Sequence, residues 1–409
     1  MERGAVLVMV AVCMSLFFIL LAVAIDIGWM HSTKAELQHG ADSAALAGAL
    51  ELIKDLPPED VDSNARDLSV DFAADNKAAY AESQYADPEN DVVVGYIDNP
   101  LDLSEPITPT ITDPNSVQVR TTLQSNTTVG PVPLKLFLGP FTGLDEVSIH
   151  TQATATVDDR VIGFDAPDSG EKSGILPFAM YAGSWYEAID STIGLPQDIV
   201  RTDICADASD EDNYIYNEVT KEVAKVSGTG SGDGLPEVKL YPYSDTVCTE
   251  EEWIPGNFGS VDLGALNNSQ NDINRQIIEG LDPELDWPYI NSLYGGLILH
   301  DDGSVTNGTN LTLTVNGDTG VGSSQQAFED IIGETRIILL YSTRNEEPGG
   351  NLDYTIVGWA GVRIMDIVWN TALSKKCIIV QYANVAVEGA KFASDAPHSG
   401  SVWVYSLTR

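Results

Sequence analysis

An uncharged, apolar segment near the start of the chain limits what this sequence can fold into more than any other feature. It runs from Ala5 to Ile25 and stops at Asp26. Thirteen of its 21 residues are Val, Leu, Ile or Phe, and as a helix it would be roughly 31 Å long, about the thickness of a bilayer's hydrocarbon core. A core helix of a soluble protein would need a polar face, which this segment lacks. The sequence therefore predicts a membrane-spanning helix.

A cleaved signal peptide is the main alternative. Arg3 supplies a short positive region, and Ala22-Val23-Ala24 fits a small-x-small cleavage site. However, the apolar run is longer than the roughly 7 to 15 residues of a secretory signal, and helix-forming sequence continues through the supposed cut. We therefore expect a retained, single-pass anchor. Because Arg3 and the free amino group are the basic groups before the span, we expect a cytoplasmic amino terminus and an extracytoplasmic body.

The helical pattern continues past the span as a stalk. Lys34 to Leu52 is rich in good helix formers, and Pro57-Pro58 should end the helix. Two stripes of small residues recur at four-residue spacing, which lets another helix or a sheet approach closely. One stripe is Ala41, Ala45 and Ala49, and the other belongs to the residues that we assign to the membrane and assembly helix: Ala5, Val8, Val12, Leu16, Phe17, Leu20, Ile25, Asp26, Gly40, Ala44 and Gly48.

The 409 residues carry a formal net charge of −40, all of it outside the apolar segment. So acidic a body should repel nucleic acid and anionic lipid and attract divalent cations loosely. A saline habitat would select the same surface, and composition does not separate the two explanations.

Four cysteines are too few for a disulfide scaffold. Cys13 lies in the span and Cys377 opens an apolar run, so we interpret both as buried thiols. Cys205 and Cys248 lie in polar, loop-like sequence of a body expected to be extracytoplasmic. We expect a disulfide between them, which would contribute about 3 to 4 kcal/mol, with two free thiols as the alternative.

The body has the pattern of an α+β fold. A second amphipathic helix is predicted at 59–82, with Val61, Ala65, Leu68, Phe72 and Ala79 on its inner side. Strands are predicted at 92–97, 116–123 and 147–157, and two helices on one face of an antiparallel sheet would follow. Beyond residue 160 we expect a loop-rich, β-dominated part with short helices at 271–281 and 323–332 and strands at 336–342, 354–365, 377–382 and 402–406. The predicted domains are 1–55, 56–160 and 161–409.

Motifs for catalysis are missing from the sequence. It has no HExxH, GxSxG, GxxxxGK or GxGxxG pattern. Adjacent acidic pairs are expected by chance in so acidic a chain, so we predict a non-enzymatic protein without an organic cofactor. Two acidic loops are weak candidates for one Ca²⁺ ion, although neither has EF-hand spacing. Their carboxylates are Asp203, Asp207, Asp210, Asp212, Asp301 and Asp302.

The first 50 residues resemble the amino-terminal segment of TadE/TadG-like Flp pilus-assembly proteins. The matching features are Arg3-Gly4, the span, Asp26-Ile27-Gly28, Leu37-Gln38 and ADSAALAG at 41–48, while His39-Gly40 departs from the pattern. A fainter likeness extends through 117–157 and ILPFA at 175–179. It also includes VGWAGVRIMDI at 357–367 and a motif formed by Gly256, Asn257, Phe258 and Gly259.

The resemblance implies a single-pass component of the tight-adherence pilus machinery, acting in pilus assembly or surface attachment. Its partners would be the cytoplasmic membrane and other pilus components or copies of itself, not nucleic acid. The alternative is a filament subunit that polymerises through its apolar helix, since a polymer core and a bilayer are both apolar surroundings. A pilin-type cut after Gly4 would place Met9 where pilins carry a Glu, so this chain departs from the pilin pattern.

Overall fold

A computed structural model describes most of the chain, in several segments. The described residues are 2–54, 57–100, 102, 104–125, 129–139, 143–182, 185, 212–226, 232–235, 237–240, 260–264, 269–306, 309–317, 324–346, 352–369, 377–393, 396 and 398–408. They form two compact units. Unit 1 comprises residues 1–157 and 405–409, and unit 2 comprises residues 158–404.

Unit 1 begins with one continuous helix, α1, from Glu2 to Glu51. A second helix, α2, runs from Pro58 to Asp75 and starts with a proline in its first turn, where the missing amide is not needed. The strands that follow are β1 (Gln84–Tyr85), β2 (Val92–Tyr96), β3 (Thr108–Pro109), β4 (Ser116–Leu123), β5 (Leu134–Lys135), β6 (Glu146–Val147) and β7 (His150–Asp158).

The sheet of unit 1 is built around β4, which pairs antiparallel with β2 and β1 along one edge and with β7 along the other. Along β4 the side chains of Val117, Val119, Thr121 and Leu123 are buried, whereas Arg120 is exposed. The alternation marks one face of the strand as the core face, as the period of two predicts. The α+β class expected for this part of the chain is confirmed.

The second half of α1 packs on that face. Leu37, Ala41, Ala44, Ala45 and Ala49 are fully buried. The hydroxyl of Thr121 on β4 donates to the carbonyl of Leu37, at 3.0 Å. These side chains of α1 and the buried face of β4 therefore pack together in the core of unit 1.

Helix α2 lies against α1 through its own stripe of small residues: Val61, Ala65, Ser69 and Ala73 are buried at four-residue spacing. Our prediction of its inner side was partly wrong, because Phe72 is 43% exposed and Ala79 lies beyond the end of the helix with a positive φ of 52°. The close approach explains the difference. The Ser69 hydroxyl folds back onto the Ala65 carbonyl, at 2.7 Å, and fills the space beside Gly48.

Unit 2 contains three described helices and most of the remaining strands. The helices are α3 (Gln270–Glu279), α4 (Trp287–Tyr294) and α5 (Gln325–Glu329). The strands are β8 (Val161–Phe164), β9 (Ile175–Tyr181), β10 (Tyr214–Asn217), β11 (Glu222–Lys225), β12 (Glu237–Leu240), β13 (Leu297–Ile298), β14 (His300–Thr306), β15 (Thr309–Asn316), β16 (Thr335–Glu346), β17 (Leu352–Val368), β18 (Cys377–Tyr382), β19 (Val385–Ala386), β20 (Ala390–Phe392) and β21 (Val402–Leu407).

The main sheet of unit 2 is organised by the long strand β17, which pairs antiparallel with β15, β16 and β18. Strand β16 also pairs in parallel with β9, so the sheet is mixed. Both faces are covered: one hydrophobic cluster includes Phe328 of α5 and the other includes Trp287 of α4. A sheet buried on both faces accounts for continuous apolar runs such as IILL in β16.

The last strand, β21, has residues in both units: Val402–Val404 belong to unit 2, and Tyr405 onward belongs to unit 1. Within unit 2, Val402 and Trp403 pair in parallel with β19. Within unit 1, the Thr408 amide donates to the carbonyl of Thr154 on β7, at 2.8 Å.

A buried ion pair joins α3 to the start of α4. Asp286, which is fully buried, accepts two hydrogen bonds from Arg275, at 2.7 and 2.9 Å. It also accepts from the Gln276 amide, at 3.0 Å, and from the Asp282 backbone, at 2.7 Å. The carboxylate is thus satisfied on both oxygens, as a buried charge must be.

Replacing Gly48 by alanine should destabilise unit 1. The new methyl group would collide with the Ser69 hydroxyl and crowd Val117, so we expect a loss of about 1 to 3 kcal/mol in the free energy of unfolding, measured by denaturant titration in detergent micelles. The matched control is Gly28→Ala in the same helix, because nothing lies within 4 Å of that position. The control should be neutral or stabilising by up to about 1 kcal/mol, and equal effects at both sites would contradict the packing described here.

Replacing Asp286 by alanine should lower the stability of unit 2 more than replacing Glu279 by glutamine. It leaves the Arg275 guanidinium and two further donors without their acceptor, which typically costs about 3 to 5 kcal/mol. The control is Glu279→Gln, which removes a half-exposed ion pair with Lys172 and should cost less than about 1 kcal/mol. Thermal unfolding followed by circular dichroism compares the two, and a mild Asp286→Ala variant would show that the pair is dispensable.

Candidate membrane and assembly interface

The first half of α1 presents apolar side chains on every side. Residues 17 to 20, Phe-Phe-Ile-Leu, are each between 56% and 63% exposed, and four successive residues cover the full circumference of a helix. The same holds for most large apolar side chains from Met9 to Ile27. Among the described residues, α1 is the one helix long and apolar enough to cross a membrane. Apolar surface of this extent calls for lipid or protein around it.

Several of the residues that we assign to the membrane and assembly helix lie in this exposed segment. Val12, Leu16, Phe17, Leu20 and Ile25 are all exposed. Ala5 and Val8 belong to the helical backbone, but their side chains lie outside the described part.

Polar groups in this segment are either satisfied within the helix or only weakly polar. The Ser15 hydroxyl donates to the Ala11 carbonyl one turn earlier, at 2.9 Å, so it needs no partner from outside. Cys13 lies on the exposed apolar surface of the helix, and Cys377 is buried as expected.

Asp26 marks the end of the apolar segment and is only 5% exposed. Its carboxylate accepts hydrogen bonds from two consecutive backbone amides, those of Phe137 at 2.9 Å and Leu138 at 3.3 Å. The Phe137 ring also packs against Trp29, with ring centroids 5.3 Å apart. The residue after the span is therefore fastened to a distant loop of unit 1.

Sequence reasoning did not find this partner. The segment PLKLFLGPF at 133–141 is apolar and contains Pro and Gly, but nothing in its sequence specifies a contact with Asp26. The one available signal was an acidic residue directly after an apolar span, where a buried carboxylate needs donors.

The small residues of the stalk face the interior of unit 1. Gly40, Ala44 and Gly48 are buried, and Gly40 lies against the side chain of Gln84, whose amide donates to the Glu36 carbonyl at 2.9 Å. The close approach predicted from the stripes therefore occurs within this chain, against α2, β4 and the β1 region. The surfaces left open for contacts with other proteins are therefore the exposed segment Met9–Ile27 and the outer surfaces of the units.

The calcium, disulfide and motif predictions fall largely outside the described residues. These residues are Asp203, Asp207 and Asp210, both Cys205 and Cys248, and Gly256, Asn257, Phe258 and Gly259. Asp212 accepts a hydrogen bond from the Gly234 amide, at 2.9 Å. Asp301 lies on strand β14 beside Asp302, whose side chain is outside the described part. No cluster of three metal-ligating side chains occurs in the described part of the chain, and a calcium site stays a prediction.

Two titratable side chains of unit 2, Glu237 and His398, make hydrogen bonds that hold loops in place. Burial raises the pKa of Glu237, whose carboxylate accepts the backbone amides of Asn213, at 2.8 Å, and Tyr214, at 3.0 Å. The pKa of His398 is raised chiefly by its hydrogen bond with Asp159, at 2.5 Å. The Glu237 carboxylate and the His398 imidazole are therefore both engaged in structural contacts.

A shallow groove in unit 2 is lined by Tyr216, Lys221, Arg336 and Arg363. The Arg363 guanidinium stacks 3.4 Å from the Tyr216 ring centroid and pairs with Glu218, at 3.1 Å. Lys221 also pairs with Glu218, and Arg336 pairs with Glu334. The cations of the groove are therefore already neutralised by acidic neighbours.

Comparison with known families matches the amino-terminal part of the chain. Residues 4–51 match a family described as putative Flp pilus-assembly TadE/G-like, and residues 47–155 match one described as putative Tad-like Flp pilus-assembly. The first match ends at Glu51, the last residue of α1. No curated protein and no solved structure matches the chain.

The exposed apolar half of α1 and the α+β unit built on its other half define a membrane-associated protein with a folded, largely acidic body. The two matches cover residues 4–155, most of unit 1, and they confirm the resemblance to TadE/TadG-like Flp pilus-assembly proteins seen in the sequence. The match supports membrane anchoring and a role in Tad pilus assembly. Domains of this family are generally non-enzymatic.

Replacing Asp26 by alanine should loosen the loop that it holds. Two backbone amides would lose their charged acceptor, which costs about 1 to 3 kcal/mol, and the amides of Phe137 and Leu138 should exchange hydrogen faster in micelles. Asp26→Asn retains one carbonyl acceptor and should have a smaller effect. Ser15→Ala, which removes only a hydroxyl bonded within α1, is the control, and unchanged exchange in Asp26→Ala would contradict the role given to this carboxylate.

Proposed function

We propose that this chain is a non-enzymatic, single-pass component of a Tad/Flp-type pilus system. It acts in pilus assembly or surface attachment by contacts with other proteins. Residues 5–25 of α1 lie in the cytoplasmic membrane, the amino terminus is cytoplasmic, and the rest of unit 1 and the whole of unit 2 lie outside.

The observation that carries the proposal is the division of α1 into two halves with different surroundings. From Met9 to Ile27 its apolar side chains are exposed, whereas from Leu37 to Ala49 the same helix supplies the core of unit 1. A secretory signal is removed from the mature protein. Here the helix passes into the core of unit 1 without a break, and Asp26 is bonded to a loop of that unit. Retention of the segment is therefore favoured over cleavage.

Assembly is favoured over a filament subunit by the use of the small-residue stripes. A polymer built on close helix packing would need small side chains on an open face. In this chain Gly40, Ala44 and Gly48 are already covered within unit 1. The bulky residues from Met9 to Ile27 are what would remain for a filament core.

Protease treatment of cells and spheroplasts tests the proposed topology. We expect a carboxy-terminal tag to be digested from outside only when the outer barrier is opened, while an amino-terminal tag is protected. The protein should remain in the membrane fraction after extraction with alkaline carbonate. An amino-terminal tag digested from outside would overturn the orientation.

Shearing of the cell surface addresses the alternative. We expect the sheared filaments to contain little of this chain relative to the membrane fraction. If this chain is the major, stoichiometric component of the filaments, the filament role replaces the assembly role. A new amino terminus at Ile25 would overturn the retained anchor.

A further inference from the structure

We propose that unit 1 touches the lipid bilayer through a second element, an apolar turn that places Phe137 in the interfacial layer beside the end of the span. The turn comprises the described residues Leu134–Gly139 and Gly143–Val147. Its partner is the phospholipid surface of the membrane that α1 crosses, so this inference rests on the proposed function.

The height of the turn relative to the span follows from its contacts. The Phe137 amide lies 2.9 Å from the carboxylate of Asp26, the first residue after the predicted span. The Phe137 ring lies 5.3 Å from that of Trp29, which is about 4.5 Å further along the helix axis. The interfacial layer on each side of a bilayer is about 5 to 8 Å deep. Phe137 therefore falls within this layer whenever Ile25 ends the span.

The turn exposes large apolar side chains on its surface. Phe137 is 63% exposed and Leu144 is 55% exposed, although Leu134 and Leu136 of the same turn are buried in the core. Exposed Phe and Leu side chains are costly in water but suit the boundary between headgroups and acyl chains. Ile25 and Ile27 of α1, which flank Asp26 in sequence, are also exposed.

The turn is also fixed firmly enough to act as a support. Strands β5 and β6 pair across it, and the Leu136 amide donates to the Asp145 carbonyl, at 3.0 Å. Lys135, exposed on β5 two residues before Phe137, lies opposite Glu146. Basic and aromatic side chains close together in sequence are typical of membrane interfaces.

Ala22 indicates how far along α1 the face that carries Asp26 is shielded from solvent. It lies one turn before Asp26 and is 7% exposed, whereas Ala11 and Ala24 of the same segment are exposed. Shielding of α1 on the Asp26 face thus reaches into the last turn of the predicted span. A turn set at this depth would sit partly within the lipid headgroups.

Quenching of tryptophan fluorescence by brominated lipids tests the proposal on the full-length protein in zwitterionic phosphatidylcholine vesicles. The Phe137→Trp and Leu144→Trp variants should each add fluorescence that is lost with lipids brominated near the headgroup. Deeply brominated lipids should quench it less. The emission of the wild-type protein, measured in the same vesicles, is subtracted.

Phe72→Trp is the matched control. Phe72 is an exposed phenylalanine of the same unit, but its helix meets α1 between Ser43 and Gly48, about 26 to 33 Å beyond Asp26. Its added fluorescence should not be quenched. Leu16→Trp in the span should be quenched by the deep bromines, and it reports on anchoring independently of the turn.

The outcomes separate the two levels of the argument. Quenching of Leu16→Trp without quenching at either turn position overturns the lipid contact and leaves the anchor standing. Absence of quenching at all positions overturns the anchor itself. Blue-shifted but unquenched emission from Phe137→Trp would show that protein, such as a second copy, covers the turn, and would also overturn the proposal. Tryptic digestion patterns equal to wild type establish that the variants are folded.

Discussion

The structure depends on one helix, α1, whose first half is apolar and exposed and whose second half is buried within unit 1. Because α1 continues unbroken from Glu2 to Glu51, its apolar part and the core of unit 1 belong to a single rod. A hinge would need a proline, a bulge or an irregular turn, and α1 has none of these within its bounds. The bond between Asp26 and the loop at Phe137 adds a second point of attachment. The apolar half of α1 and the rest of unit 1 therefore have a fixed orientation relative to each other. A force on one is transmitted to the other.

The two family matches describe parts of one structural object. Asp26 lies in the first matched region and its partners at Phe137 and Leu138 lie in the second. The same is true of Leu37 and its partner Thr121. Unit 1 is thus held together by contacts that run between the two regions, and neither region has a complete core by itself. Unit 2 lies beyond both matches and has hydrophobic clusters of its own, two of which cover the two faces of the sheet around β17.

Much of this organisation was predictable because its signals are local. The span, the strands at 116–123 and 377–382 and the helix at 271–281 are fixed by periodicity and apolar content, and the structure has them within a few residues. Partners distant in sequence were not predictable. The stripe at Gly40, Ala44 and Gly48 predicts a close approach but not what approaches, and Asp26 predicts a need for donors but not which loop supplies them. The inner side of α2 was missed at Phe72, because the spacing of large apolar residues suggested a wider face than the small-residue packing with α1 uses.

The return of β21 has a consequence for how the chain is made. Unit 1 includes residues from the start of the chain and from 405 onward, so unit 2 is an insertion within it. During synthesis, the anchor and the first 157 residues emerge long before the strand that completes their sheet. The Thr408 bond to Thr154 can form only after the whole of unit 2 has left the ribosome. A chain whose inserted unit is truncated therefore leaves β7 without this late partner, and an unpaired strand edge can pair with other chains.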